Sequence, residues 1–143
     1  MSEGATVSHV LLLDLVDDAE LIAAYREWHR PGGPPSAVTR QILASGIVAM
    51  TIWQTGDRLV MLMETTPDFD PVAKAERDGH DADVQAWERM MDKFQKRLPF
   101  APPDVKWVPA NRIYDLATQT PADEPTFRNR PVSPTHRVIG ATE

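Results

Sequence analysis

The chain of 143 residues contains no cysteine. This absence excludes disulfide bonds, a thiolate nucleophile, and the zinc or iron–sulfur sites that depend on cysteine ligands. The sequence also lacks a His-x-x-x-His pair, a glycine-rich phosphate loop, a Gly-x-Ser-x-Gly elbow and a dinucleotide-binding fingerprint. The common nucleophile, zinc and nucleotide classes of enzyme are therefore not indicated, and we expect neither a metal nor a cofactor.

Positive charge and long apolar runs are also scarce. Fifteen lysines and arginines stand against 21 aspartates and glutamates, for a formal charge of -6, so a broad nucleic-acid surface is not expected. No apolar run approaches the roughly 18 residues of a membrane helix, and the start of the chain lacks the features of a signal peptide. We expect a cytoplasmic protein without nucleic-acid or membrane partners.

The composition otherwise suits one globular domain. Hydrophobic residues make up 42% and charged residues 25% of the chain, which is ordinary for a folded protein of this length. The 13 prolines are clustered, and the last cluster stands in a stretch without apolar period. We therefore predict an α+β domain over 1–116 and a proline-rich C-terminal extension over 117–143, either lying on a partner subunit or mobile.

Seven segments show the period or the flanking residues of a regular element. In chain order they are a strand over 9–16, a helix between Asp18 and Pro31, a helix over 36–45, two strands over 47–53 and 58–65, a helix over 81–98 and a strand over 105–116. The helices combine apolar residues three and four apart with a capping residue or a proline at their ends. Gly56 between the two middle strands predicts a hairpin.

This order becomes β-α-β-β-α-β when the two adjacent helices are merged into one broken crossover. Such an order is typical of the ferredoxin-like arrangement, an antiparallel sheet with helices on one face. The other face would carry valine, methionine, isoleucine and leucine in the open, and an open apolar face is a pairing surface. We therefore predict a homodimer with facing sheets.

Tyr25 and His29 form the best local constellation for chemistry. They are four residues apart on a predicted helix and hence neighbours on one face. A histidine with a pKa near 6.5 can exchange protons at neutral pH, and a phenol can hydrogen-bond a hydroxyl-rich ligand. The structural alternative, which stays open, is that Tyr25 is a core-edge aromatic and that His29 bonds the last carbonyls of the helix.

Trp87, Glu64 and Glu88 are weaker candidates. An indole can stack on a sugar ring or another flat ligand, but most tryptophans in such patterns fill the core. The two carboxylates could lie near a pocket or be solvated charges. His80 stands in an aspartate-rich stretch that lacks the pattern of a calcium loop, so we expect turn and cap chemistry there.

Taken in order, several short motifs resemble one known family. They are Tyr25-x-x-x-His29 followed by Pro31, the helix stop Ser45-Gly46, the strand hairpin, and Trp87 followed by Met90 and Met91. Over about residues 8–116 the chain resembles the L-rhamnose mutarotases. These are dimeric α+β-barrel isomerases that interconvert the α and β anomers of 6-deoxy-L-sugars at C1.

The resemblance implies roles for five residues. His29 matches the family's catalytic acid, Tyr25 a sugar-binding tyrosine, and Trp87 the first of two sugar-binding tryptophans. Met50 stands where the family has a sugar-binding aromatic, and Glu88 stands at the second tryptophan. Because these two contacts differ, the resemblance implies a monosaccharide substrate that is either L-fucose or L-rhamnose, in a cofactor-free reaction of carbohydrate metabolism.

Two other functions stay open at this point. The same dimeric barrel hosts cofactor-free monooxygenases and haem-degrading proteins, which also place histidine and tryptophan near a pocket. A non-catalytic barrel that binds a small ligand is the third possibility. Haem titration tests for the haem-degrading function. Stabilisation by sugar without faster anomer exchange would identify the non-catalytic barrel.

Overall fold

The computed structural model describes residues 4–121 of the chain. Its backbone forms two units, one up to Asn111 and one from Arg112 onward. The described part of the second unit contains one short 3-10 helix, Leu116–Thr118, and most of the predicted extension over 117–143 lies outside the described residues. Among residues 4–121, no helix has the length and apolar character needed to cross a bilayer.

The described part of the first unit contains four α-helices and five strands. In chain order they are β1 (Val7–Leu15), α1 (Ala19–Trp28), α2 (Ser36–Ala44), β2 (Ile47–Thr55), β3 (Arg58–Thr65), α3 (Pro71–Gly79), α4 (Ala82–Met91), β4 (Gln95–Lys96) and β5 (Val108–Pro109). The strands form an antiparallel sheet of order β2-β3-β1-β4, and β5 pairs with β1. The predicted α+β, ferredoxin-like class is confirmed.

Short side chains define where several helices begin. Asp18, Asp70 and Asp81 are the N-caps of α1, α3 and α4, and each carboxylate accepts a hydrogen bond from a backbone N–H of the first turn. His80 is the C-cap of α3, directly before the Asp81 cap. The prediction of turn and cap chemistry around His80 is confirmed.

Two glycines fix the loops around the crossover helices. Gly46 has a φ of +97°, and a Cβ there would lie 2.8 Å from Thr66 Oγ1, so it stops α2 as predicted. At Gly33 a Cβ would lie 2.1 Å from the carbonyl oxygen of Trp28. Only glycine therefore lets the loop after α1 fold back against the end of that helix.

The sheet has a covered and an open face, because successive strand residues point to opposite sides. The covered face packs against the helices around a buried cluster of Leu15, Tyr25, Val38, Leu59, Val84, Trp87, Met91 and Phe94. On the other face Val10, Leu62 and Trp53 are 37%, 40% and 61% exposed. The single chain thus has an open apolar face, as the sequence predicts, but the predicted methionines and isoleucine are not on it. Met50, Ile52, Met61 and Met63 lie on the covered face, because they alternate with the residues of the open face.

The helix predicted over 81–98 is wrong in extent. It ends at Met91, because residues 95–96 pair with the end of β1 and strand pairing overrides the helical period. Phe94 and Leu98 are buried as that period requires, but they reach the core from a turn and from the chain after β4.

The strand predicted over 105–116 is also wrong in extent. Only Val108–Pro109 is extended and paired, opposite Leu11 and Leu12 of β1. Proline has no N–H for further ladder bonds, which suits the predicted place at an edge. The residues after β5 contain no further strand within the described chain.

Helix α3 is absent from the sequence prediction. It has no buried residue, so it lacks the apolar stripe on which a periodicity argument depends. Its start does carry a local signal, since the Asp70 cap is followed by Pro71 at the first helical position. That pair identifies the helix where periodicity does not.

Candidate active site

A cavity of about 620 Å³ lies between the helices and the covered face of the sheet. Its size suits a small molecule. The five residues to which the family resemblance gives roles all line it, namely Tyr25, His29, Met50, Trp87 and Glu88. The structure therefore brings together residues from α1, β2 and α4 that lie up to 63 positions apart (88 minus 25).

His29 is the C-cap of α1, and its ring is oriented by the backbone. Its Nδ1 lies 2.7 Å from the carbonyl oxygen of Tyr25. A carbonyl oxygen can only accept a hydrogen bond, so Nδ1 carries the proton and Nε2 is the nitrogen left to accept one. Burial lowers the pKa of His29 below its ordinary 6.5, and the bond to Tyr25 only partly opposes this. At neutral pH His29 is thus a neutral imidazole that can accept a proton at Nε2.

Tyr25 packs against His29 and keeps its phenolic proton. The two ring centroids are 4.2 Å apart, and Gln95 Nε2 donates to the Tyr25 hydroxyl at 3.4 Å. Burial raises the pKa of Tyr25, the bond from Gln95 opposes the rise, and the charge of Glu88 adds to it. Since its oxygen accepts from Gln95, the hydroxyl can donate its own proton to a ligand.

Trp87 has both a structural and a cavity role. It belongs to the buried cluster and lines the cavity. Its ring meets that of His29 edge to face at a centroid distance of 5.5 Å and that of Trp28 at 6.1 Å. Trp87 therefore fills the core, as the structural alternative states, and also contacts His29 at the cavity.

The two glutamates singled out from the sequence have different surroundings. Glu88 lines the cavity, and its Oε1 lies 3.0 Å from Lys106 Nζ. Glu64 points to the open face of the sheet, where it accepts hydrogen bonds of 2.6 Å from Thr6 and Ser8. The structure thus brings Glu88, but not Glu64, to the cavity.

The sheet forms an apolar floor under these groups. Met50, Met61, Met63, Ile52 and Leu11 line the cavity from β1, β2 and β3. Thioether and branched aliphatic side chains adapt to the apolar side of a ligand. The cavity therefore offers proton-exchanging groups on its helical side and an apolar surface on the sheet side.

Several polar residues of the cavity are missed by the sequence prediction. Within residues 4–121, the buried side-chain oxygens without a hydrogen-bond partner are Gln41 Oε1, Asp78 Oδ1 and Gln95 Oε1. All three residues line the cavity. Buried acceptors are normally satisfied, so these residues form a polar part of the cavity lining whose oxygens lack partners within the described chain. No local pattern distinguishes such residues from those of a solvated face.

The described residues include no group of three or more His, Asp and Glu side chains placed to hold a metal ion. The cavity combines a neutral imidazole, a phenol that can donate a hydrogen bond, a carboxylate and an indole. These groups can move a proton between two oxygens of a small polyhydroxylated molecule.

Comparison with known proteins identifies a matching family and two relatives. A sequence model described as L-rhamnose mutarotase matches residues 8–116. An L-fucose mutarotase of Xanthomonas campestris pv. campestris is 49% identical over 106 residues, which cover 74% of this chain and 85% of that protein. A UPF0734 protein of Dictyostelium discoideum is 31% identical over 113 residues, covering 76% and 89% of the two chains.

A solved structure shares the fold. The crystal structure of an L-rhamnose mutarotase from Formosa agariphila matches with a TM-score of 0.54, covering 77% of this chain and 98% of that one. The two sequences are 14% identical, so this likeness concerns the arrangement of helices and strands alone.

Proposed function

Because the chain belongs to the L-rhamnose mutarotase family, we propose that its cavity interconverts the α and β anomers of a 6-deoxy-L-hexose, with L-fucose as the preferred sugar. The enzyme is an isomerase. The preference for L-fucose is supported by the L-fucose mutarotase that is 49% identical, since the solved L-rhamnose mutarotase shares only 14%. The monooxygenase and haem-degrading alternatives depended on the fold alone, and the family assignment replaces them.

One observation carries the proposed chemistry, namely the bond that holds His29 Nδ1 to the Tyr25 carbonyl. Nε2 takes the proton of the C1 hydroxyl, the electron pair of that O–H bond forms the C1=O double bond, and the C1–O5 bond breaks. O5 leaves with the electron pair of that bond and receives the proton back from the imidazolium. Rotation about C1–C2 and the reverse steps give the other anomer.

One nitrogen can serve both oxygens in this scheme, because O1 and O5 are bonded to the same carbon. His29 therefore acts first as a base and then as the acid that the family resemblance implies. General acid–base assistance is worth about 10²–10⁴-fold, which is enough for a reaction that already proceeds slowly in water.

The remaining residues bind the sugar in this proposal. The Tyr25 hydroxyl donates to a sugar oxygen, Trp87 covers one face of the ring, and Glu88 accepts from a ring hydroxyl. Met50 and the neighbouring apolar floor receive the methyl group at C6. The cavity lining supports this division, since the Tyr25, Trp87 and Glu88 side chains come from α1 and α4, whereas Met50 and the neighbouring apolar floor come from the sheet.

The test is saturation-transfer NMR between the anomeric protons of L-fucose and L-rhamnose, measured side by side with and without the protein. We expect exchange well above the spontaneous rate for both sugars and faster for L-fucose. Folded protein that accelerates neither exchange would overturn the proposed function, and a faster L-rhamnose reaction would overturn the sugar preference.

We further propose that the protein is a homodimer that buries the outer sheet face, defined as Val10, Leu12, Trp53, Val60 and Leu62. These residues alternate with the cavity-lining positions of the same strands, so they point away from the helices. Three of them are strongly exposed in the single chain. An apolar surface of this kind is typical of the core of a protein–protein interface.

The polar groups on the same side of the sheet are already paired. Arg58 donates two hydrogen bonds, of 2.7 and 3.1 Å, to the carboxylate of Asp14 at one end. At the other end Glu64 accepts from Ser8 and Thr6, and these bonds lower its pKa. Because Asp14 is paired with Arg58 and Glu64 accepts from two hydroxyl groups, a second copy can cover the outer sheet face without leaving a carboxylate that lacks hydrogen-bond partners.

A further inference from the structure

Lys106 is a charged residue beside the cavity that the proposed reaction does not use. Its Nζ lies 3.0 Å from Glu88 Oε1 and 2.6 Å from Asp92 Oδ1, so one ammonium group joins two carboxylates four residues apart on α4. Glu88 lines the cavity, whereas Asp92 is not among the lining residues. Burial lowers the pKa of Lys106, but the bonds to Asp92 and Glu88 outweigh this effect and raise it.

The chain on the C-terminal side of Lys106 is part of the same cavity. Trp107 lines the cavity and packs against the buried cluster, and β5 follows at once and pairs with β1. This short segment is therefore fixed to the sheet by strand pairing and to α4 by the ion pairs of Lys106. Lys106 thus bonds the Glu88 carboxylate through its side chain and adjoins Trp107 in the chain.

The Glu88 carboxylate has one occupied and one available oxygen. Among the described residues, the partner of Glu88 is Lys106, and the bond involves Oε1. The Glu88 side chain is half exposed, so without this partner it has several rotamers directed to solvent. The ion pair selects the orientation in which Oε2 remains for a ligand.

We propose that Lys106 is the positioning residue of the sugar site. It holds Glu88 so that Oε2 accepts from a ring hydroxyl of the 6-deoxy-L-hexose. This inference rests on the proposed function and names one further residue for sugar recognition, which does not touch the proton that His29 moves.

The test separates binding from chemistry in the Lys106→Met variant. We expect the KM for L-fucose to rise roughly tenfold, the scale of one lost hydrogen bond, while kcat changes by less than about twofold because His29 is unaltered. Lys106→Arg keeps the ion pair and should restore most of the KM. Asp92→Asn is the matched control, since it removes the partner outside the cavity and should leave KM unchanged.

A double variant tests whether Lys106 acts through Glu88. If it does, Lys106→Met adds nothing to the KM of Glu88→Gln, whereas additive effects would overturn the inference. The double variant removes both charges together, so it keeps the test decisive if Lys106→Met alone does not fold. An unchanged KM in folded Lys106→Met, or an equal rise in Asp92→Asn, would also overturn it. Wild-type protein without anomer exchange would instead count against the proposed function.

Discussion

His29 can exchange protons only through Nε2, because the carbonyl of Tyr25 occupies its other nitrogen. This contact forms because His29 is the C-cap of α1, directly after the last turn of the helix. The same burial that brings the ring to the cavity lowers its pKa. At the scale of single residues, the site is therefore prepared as a base before a sugar enters.

The first prediction concerns pH. In the proposed mechanism the neutral form of His29 starts the reaction, and its pKa lies below 6.5. We therefore expect kcat/KM to be constant around neutrality and to fall as the pH drops through that pKa. The measurement is anomer exchange of L-fucose between about pH 4 and pH 8, after subtraction of the buffer rate. A rate that rises toward acid would show that the imidazolium is the starting form.

The second prediction concerns the Tyr25 hydroxyl. Tyr25 is 3% exposed and belongs to the core, so Tyr25→Phe keeps the packed ring and removes the hydroxyl, which donates to the sugar in the proposal and accepts the long 3.4 Å bond from Gln95. We expect the KM for L-fucose to rise about tenfold, as for one hydrogen bond of roughly 1 kcal/mol, with little change in the melting temperature. Tyr114→Phe, at an exposed tyrosine, should change neither quantity. An unaltered KM in Tyr25→Phe would remove this residue from the sugar contacts.

At the scale of elements, the site depends on how α1 ends. The loop after His29 turns back so tightly that the Gly33 backbone approaches the Trp28 carbonyl, and Gly33 N–H donates to the Arg30 carbonyl at 2.8 Å. The position of the imidazole is thus linked to a glycine four residues later.

The third prediction uses this loop. In Gly33→Ala the new Cβ would lie 2.1 Å from a backbone oxygen, which no side-chain rotation can relieve. We expect a loss of about 1–3 kcal/mol in the free energy of unfolding, the range of local backbone strain, together with slower anomer exchange. Gly79→Ala is the control because nothing lies within 4 Å of its Cβ position. Gly33→Ala with wild-type stability and activity would contradict the role given to this loop.

The ends of a helix or strand are predictable from the sequence when neighbouring residues set them. They are not predictable when pairing with a distant part of the chain sets them. Asp18 starts α1 and Gly46 stops α2 through contacts that any reader of the sequence can anticipate. The end of α4 at Met91 is set by the pairing of β4 with β1, about 80 positions away in sequence (95 minus 15).

The same distinction applies to the cavity. Tyr25 and His29 are recognisable because they are one helical turn apart on the same element. Gln95 and Lys106 are not recognisable, since their partners, the Tyr25 hydroxyl and the Glu88 carboxylate, lie on other elements. Residues that act through tertiary contacts need the fold before they can be identified.

At the scale of the whole molecule, the proposed homodimer depends on the open sheet face. The fourth prediction is that Leu62→Glu, which places a charge in the middle of the outer sheet face, converts a dimer into a monomer, because an unpaired charge at the core of an apolar interface is strongly unfavourable. The measurement is molar mass by light scattering after size exclusion. Leu43→Glu is the matched control, since Leu43 is an exposed leucine of α2. Wild-type protein that elutes as a monomer would contradict the proposed assembly.

In the proposed mechanism one imidazole above an apolar floor passes the proton of the sugar from O1 to O5, and the fifth prediction tests this directly. The measurement is the rate of L-fucose anomer exchange, by saturation-transfer NMR, in the variants His29→Ala and His80→Ala. His80 is the control because it is an exposed histidine at the end of a helix and does not line the cavity. We expect His29→Ala to lose about 10²–10⁴-fold while it still folds and binds L-fucose, and His80→Ala to keep the wild-type rate. A folded His29→Ala protein that exchanges the anomers as fast as the wild type would contradict the mechanism.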